Sequence, residues 1–164
     1  ALWLGINLCT AFLAAAVVDR IQNALTEIVL LAVLMPIVPS MGGVAGTQSL
    51  TIITRAIALG QINKDNAFGI LRKEFMVGLL NGIGWAIVIS LLTFLWLSDW
   101  KIGGIIGAAT VINMVIAALA GFSIPLILKR MKIDPALGSG VVLTTITDVI
   151  GYATFLGLGA AIYL

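Results

Sequence analysis

Apolar residues run almost unbroken along this chain, and the charged ones collect where the runs stop. The first run, roughly 2–18, is closed by Asp19, Arg20, Gln22 and Asn23. The second begins near Ala24 and reaches about Leu59. The third follows Arg72, Lys73 and Glu74 and extends from Phe75 to Leu97; the fourth lies between Lys101 and Lys129, and the fifth between Pro135 and Leu164. A bilayer-spanning helix needs about 20 mostly apolar residues, so four of the runs predict one span each. The second is too long, and Pro36, Pro39, Ser40, Gly42, Gly43 and Gly46 fall in its middle, ahead of Thr47, Gln48, Ser49 and Thr51. Proline removes a helical donor and glycine lets the backbone turn. Two short spans, 24–41 and 42–59, would expose Gln48, Arg55 and several hydroxyls to lipid. One kinked, partly pore-facing helix is therefore expected, with carbonyls from Pro39 to Gly43 freed by the break. The pattern predicts an all-α integral membrane protein of five spans, the second one broken.

Composition sharpens this. Of 164 residues, 61% are hydrophobic and 10% charged, with a mean hydropathy of +1.18, whereas a soluble domain is about a quarter charged. Lipid must therefore solvate much of the surface. Net charge is +2, and no basic stripe alternates with aromatics, so nucleic acid is not an expected partner. Cys9 is the single cysteine and histidine is absent. That excludes intrachain disulfides, Cys/His zinc sites and Ser-His-Asp or Cys-His catalysis. The chain starts at alanine with no basic n-region ahead of the apolar stretch. No signal peptide is expected, and the start reads as cut from a longer polypeptide.

Loop charge predicts orientation. With five spans, one side carries Arg55, Lys64, Arg72, Lys73, Lys129, Arg130 and Lys132, and the other only Arg20 and Lys101. The positive-inside rule puts the N-terminus in the cytoplasm and the C-terminus outside, in a cell inner (plasma) membrane. Trp3, Trp96, Trp100 and Tyr163 fall near span ends, as interfacial aromatics do.

Asp148 is the anomaly. It lies roughly 18 Å into the fifth span, near the bilayer midplane. An acid there costs at least about 2.5 kcal/mol on insertion scales, which by default marks a functional site. Thr144, Thr145, Gly151 and Tyr152 sit three and four positions away on a helix that is otherwise largely apolar. Hydroxyls around one carboxylate suit a hydrated cation; the alternative is a protonated acid bonded to a neighbouring helix. Thr47 and Gln48, beyond the break in the second span, are further candidates to hold water or an ion. Gly42/Gly46, Gly78/Gly82 and Gly103/Gly107 have small-xxx-small spacing, which close helix packing also explains. Asn81 and Asn113 read as interhelical hydrogen-bonding residues, and Asp19 and Glu27 either as carboxylates at an entrance or as solvated helix ends.

The stretch LMPIVPSMGGVAGTQSLTIITRAIALGQI (34–62) resembles the second transmembrane helix of MgtE-type magnesium channels, and DPALGSGVVLTTITDVIGYATFLGLG (134–159) resembles their fifth. The likeness spans nearly the whole chain, 1–164, including the WLGINLCTAFLAA opening. It implies a five-helix transmembrane pore domain that forms a homodimer in the bilayer, with a pore on the two-fold axis lined by the second and fifth helices. It further implies a central Mg²⁺ site at Asp148 with Thr144, Gly42 and Gly43. Thr145, Thr147, Gly151, Val44, Gly46, Thr47 and Gln48 would then line the pore. Mg²⁺ is the implied cargo, with Mn²⁺, Ca²⁺ or other divalent ions as candidates. The family pattern MGGN reads MGGV here, so Val44 replaces an amide at the break. The cytoplasmic regulatory domains of bacterial members have no counterpart in this stretch. Charge balance points to the same dimer, since one carboxylate is −1 against +2 and a two-fold copy supplies the second.

Three other classes fit parts of the pattern, one of them a purely structural subunit that anchors a cytoplasmic sensor. A proton- or Na⁺-coupled transporter would use Asp148 as a relay, broken midplane helices being a transporter trait. An intramembrane aspartyl protease needs two carboxylates sharing a proton, and Asp148 is the only acid the apolar runs place deep.

Overall fold

With lipid on most sides, the backbone must satisfy its own polar groups, and helices do so within one segment. A computed structural model describes residues 2–21, 29–63 and 65–163. Its elements are α1 (Leu2–Arg20), α2 (Val29–Leu34), α3 (Ile37–Ala58), α4 (Ala67–Leu97), α5 (Trp100–Arg130) and α6 (Pro135–Tyr163). Five helices are long and apolar enough to cross a membrane, the second formed by Leu30–Ala58. Gln22, Asn23, Ala24, Glu27 and Lys64 lie outside the described residues.

The second span departs from expectation in where it is interrupted. Among the described residues of this span the helix lapses at Met35 and Pro36 and then runs unbroken through Gly42, Gly43 and Gly46. Pro39 is the third residue of α3, within the turn whose N–H groups have no intrahelical acceptor, so its missing donor costs nothing. The expected free carbonyls are consequently spent inside the helix. Ser40 N donates to Pro36 O at 3.2 Å, and Thr47 Oγ1 donates to Gly43 O at 2.7 Å.

The third span also differs: α4 starts at Ala67, not Phe75, and takes Arg72, Lys73 and Glu74 into the helix. The cause is the α3–α4 loop. Asn63 Oδ1 accepts from the backbone N–H groups of Asp65 (3.1 Å) and Asn66 (3.0 Å), and Asn66 Oδ1 accepts from Asn63 N (2.9 Å). These side-chain turns satisfy backbone donors just ahead of the helix and start it early.

Helix α5 is the centre, with 56% of its most apolar stretch buried against 6% for α1. It packs on α3, α4 and α6, while α1 rests chiefly on α6. The α4–α5 seam is built on glycine. A Cβ at Gly78 would come within 2.7 Å of Ala118 Cβ, and one at Gly103 within 3.0 Å of Ser90 O. Across that seam Ser90 Oγ donates to Gly103 O at 2.7 Å. Both pairs with small-xxx-small spacing on α4 and α5 thus serve packing, as the sequence suggested.

The two ends of the bundle are distinguishable. Trp3 at the start of α1 covers Gly138 at the start of α6, so these helices run parallel. At the far end Tyr163 OH donates to Asp99 Oδ2 at 2.8 Å. Asp99 also caps α5, its Oδ1 accepting from Lys101 N (2.8 Å) and Ile102 N (3.3 Å). The Tyr163 hydrogen bond first, and then these backbone bonds, hold the Asp99 carboxyl below its ordinary value against a smaller desolvation effect.

Candidate functional site

Asp148 stands thirteen residues into α6, which begins at Pro135; at 1.5 Å per residue that is roughly 20 Å along a helix about 43 Å long. The carboxylate is partly buried. It lines a cavity of about 340 Å³ with Tyr152, Met35 and the α1 residues Ala11, Ala14, Ala15 and Val18. Small side chains on α1 leave this space. Apart from Asp148 and the Tyr152 hydroxyl, its walls are apolar. Among the described residues, no three of the types His, Cys, Asp and Glu gather in one place. One copy of the chain brings, among the described residues, a single carboxylate to this cavity.

Beside it lies an open polar face. Thr144 is exposed, and its Oγ1 turns back to Gly140 O (3.1 Å) and Val141 O (3.0 Å). On neighbouring α3 the exposed stripe is Ser40, Val44, Thr47 and Thr51. Val44 is 60% exposed, so this position is not packed inside the protomer. Gln48 is exposed as well, toward α4.

Other expected lining residues turn inward. Thr147 is fully buried, its Oγ1 donating to Thr144 O at 3.1 Å and facing Gly43. Gly46 and Gly151 are buried where a Cβ would meet Leu143 Cδ1 at 2.7 Å and Pro39 Cγ at 2.8 Å, respectively. Gly42 is buried against the Asn113 amide. Packing accounts for these four positions within one protomer. Gly43 is half-buried and Thr145 half-buried, the latter donating to Val141 O at 2.8 Å.

Asn113 does what the sequence suggested. It is fully buried on α5, and its Nδ2 donates to Val38 O at 2.8 Å, tying the first turn of α3 to the central helix. Its Oδ1 finds no partner among the described residues.

The residue that sequence reasoning missed is Glu74. Read as part of a charged linker, it is instead only 8% exposed and accepts a hydrogen bond from Ser49 Oγ at 2.5 Å. The Arg72-Lys73-Glu74 triplet hid it, yet Glu74, Gly78 and Gly82 recur at the four-residue spacing of one helix face. Asp148 is thus not the only acid inside the spans. The two acids line separate cavities that share no residue, so they form no protease-type dyad.

The fold is that of a polytopic helical membrane protein, with acids and hydroxyls on helices long and apolar enough to cross a bilayer. The chain belongs to the MgtE family: residues 35–158 match that family, described as a divalent cation transporter. It is 28% identical over 159 residues to the magnesium transporter MgtE of Bacillus subtilis, covering 97% of this chain and 35% of the relative. The MgtE of Enterococcus faecalis is 31% identical over 147 residues, 89% of this chain and 32% of that protein. That of Thermus thermophilus is 28% identical over 156 residues, 95% of this chain and 34% of that protein. The chain thus spans about a third of the length of the relatives it matches.

Proposed function

We propose that this chain is the membrane-embedded part of a Mg²⁺ channel or transporter, with the cation passing Asp148 on the two-fold axis of a homodimer. The observation that carries the reading is a single carboxylate well inside α6, beside an exposed stripe of hydroxyls on α3. Mg²⁺ binds oxygen, keeps several of its waters and is usually held by one or two carboxylates. A second copy seated on the α3–α6 face supplies the second acid, and Thr144 with the backbone near Gly42 and Gly43 completes the polar surround. The lapse at Met35–Pro36 acts as the kink that lets the second span bend toward that axis. Membership of a divalent cation transporter family supports the cargo.

In this reading Arg55, Arg72, Lys73, Lys129, Arg130 and Lys132 mark the cytoplasmic end, and Arg20 and Lys101 the external end. The N-terminus is cytoplasmic and the C-terminus outside.

The deciding measurement is Mg²⁺ flux into liposomes containing the purified intact protein, set against its mass in detergent corrected for bound lipid. Flux by a dimer, lost in Asp148→Ala, is expected. A conducting monomer overturns the shared pore, and flux that requires a proton or Na⁺ gradient replaces the channel with a coupled transporter. For orientation, Asp65→Cys and a cysteine added after Leu164, in a Cys9-free background, are expected to be labelled from opposite sides. Labelling from the same side would overturn the five-span topology.

A further inference from the structure

Between α3, α4 and α5, on a different flank of α3 from the Asp148 cavity, lies a chamber of about 190 Å³. At about 30 Å³ per water it has room for roughly six. Its polar lining is Glu74, Ser49, Gln48 and Asn81, with Lys73 also bordering it and Val77, Gly78, Met114 and Ala118 among the apolar walls. Glu74 lies about 10 Å from the start of α4 along the helix axis, inside the span and facing inward.

A carboxylate held in this setting is costly unless something offsets its charge. The Ser49 hydroxyl gives a hydrogen bond and no charge. What surrounds the acid is otherwise a set of neutral oxygen donors: the amides of Gln48 and Asn81 and the oxygen of Ser49. One negative charge among neutral oxygens, in a space large enough for water, matches a cation of +1. A divalent ion would leave a full positive charge uncompensated, with the exposed Lys73 beside it adding to the repulsion. We infer that the Glu74 chamber is a binding site for a monovalent alkali cation, separate from the Asp148 cavity and serving a different ion. In this site Glu74 neutralises the ion, Gln48, Asn81 and Ser49 replace part of its hydration shell, and the Lys73 ammonium at the chamber's border repels an entering cation.

The test uses the intact protein in nanodiscs, unfolded by heat in NaCl, KCl or choline chloride at constant ionic strength, with and without MgCl₂. Na⁺ or K⁺ is expected to raise Tm where choline does not, and the ion that does so identifies the occupant. Glu74→Gln preserves shape and removes the charge, and it is expected to abolish that rise while the Mg²⁺ response persists. Asn81→Ala, at an exposed position, is expected to need at least tenfold more ion for the half-maximal shift, and it keeps the test alive if Glu74→Gln fails to fold. Lys73→Met is expected to lower the half-maximal concentration. Asp148→Ala is expected to keep the monovalent response, which separates this inference from the proposed Mg²⁺ pathway. Equal shifts with choline would overturn the inference. So would a Na⁺ or K⁺ response unchanged in both Glu74→Gln and Asn81→Ala, or a response to Mg²⁺ alone that disappears in Glu74→Gln.

Discussion

Asp148 and Glu74 are both carboxylates inside membrane-spanning helices, and the protein treats them in opposite ways. Glu74 is enclosed by its own chain, packed to 8% exposure with the Ser49 hydroxyl in contact. Asp148 is left partly open in a cavity whose other walls are mostly alanine, valine and methionine, next to a hydroxyl-bearing face that nothing in the protomer covers. The contrast teaches that sharing bilayer depth does not give two acids the same task. An acid enclosed by one chain finds its neighbouring oxygen donors within that chain. One left partly open leaves room for donors from beyond the protomer.

The largest expected effect breaks the open half of this pair. Asp148→Ala is expected to lower Mg²⁺ flux by two orders of magnitude or more, and Asp148→Asn nearly as much, with the protein still folded. In the proposed dimer two axial carboxylates would each offset a divalent charge by about 8 kcal/mol at about 4 Å in a partly screened site, whereas amides offset none. Wild-type flux in the Asn variant would make Asp148 an interhelical hydrogen-bonding group.

The closed half is tested through its partner. Ser49→Ala takes the hydroxyl from a buried acid and is expected to cost about 1–3 kcal/mol in unfolding free energy. Ser40→Ala, on the exposed stripe of α3, is expected to stay within about 0.5 kcal/mol in the isolated protomer. Equal costs would erase the distinction between completed and open faces.

A third acid calibrates the other two from outside the spans. Asp99 sits at the α4–α5 junction with its folded carboxyl held below the ordinary value, first by the Tyr163 hydroxyl. A depressed folded value means its stabilisation is complete above the unfolded carboxylate range, near pH 3.9, and is lost as pH falls through the lower folded value. Tyr163→Phe is expected to shrink that acid-side loss slightly. A Tm-against-pH profile identical to wild type below pH 5 would show that the contact contributes nothing.

The smallest effect expected is at Val44. This exposed side chain on α3 cannot orient the waters of a hydrated ion, so Val44→Asn is expected to sharpen Mg²⁺ over Mn²⁺ and Ca²⁺ by a few-fold in competition binding. Unchanged selectivity would place position 44 outside the ion's surroundings.

Much of this was legible in the residues. The apolar runs marked five spans because a bilayer demands length and greasiness of every helix, and those two properties are read one residue at a time. Asp148 stood out for the same reason, as an acid far from any run's end. Glu74 did not, because its depth depends on where α4 begins, and the Asn63–Asn66 turn sets that start by side-chain hydrogen bonds that composition does not reveal. The position of the break in the second span was missed for a related cause. Pro39 looked like a breaker until its place in the first turn of α3 was known, and the neighbours that Gly42, Gly46 and Gly151 admit depend on helix packing that the residues alone do not name. Asn113 was read correctly as an interhelical hydrogen-bonding amide, whereas Asn81, read the same way, is exposed and borders the Glu74 chamber.

The sparse burial of α1 has a consequence for how the protein is made. Its principal neighbour is α6, and the two are separated in the chain by everything from Arg20 to Pro135. At about 5–20 residues per second, roughly ten seconds of synthesis pass before that neighbour emerges. During that interval α1 must persist in the bilayer without that neighbour, and a helix with few polar side chains is equipped to do so. The wall of the Asp148 cavity is thus laid down first and the acid it shelters arrives last.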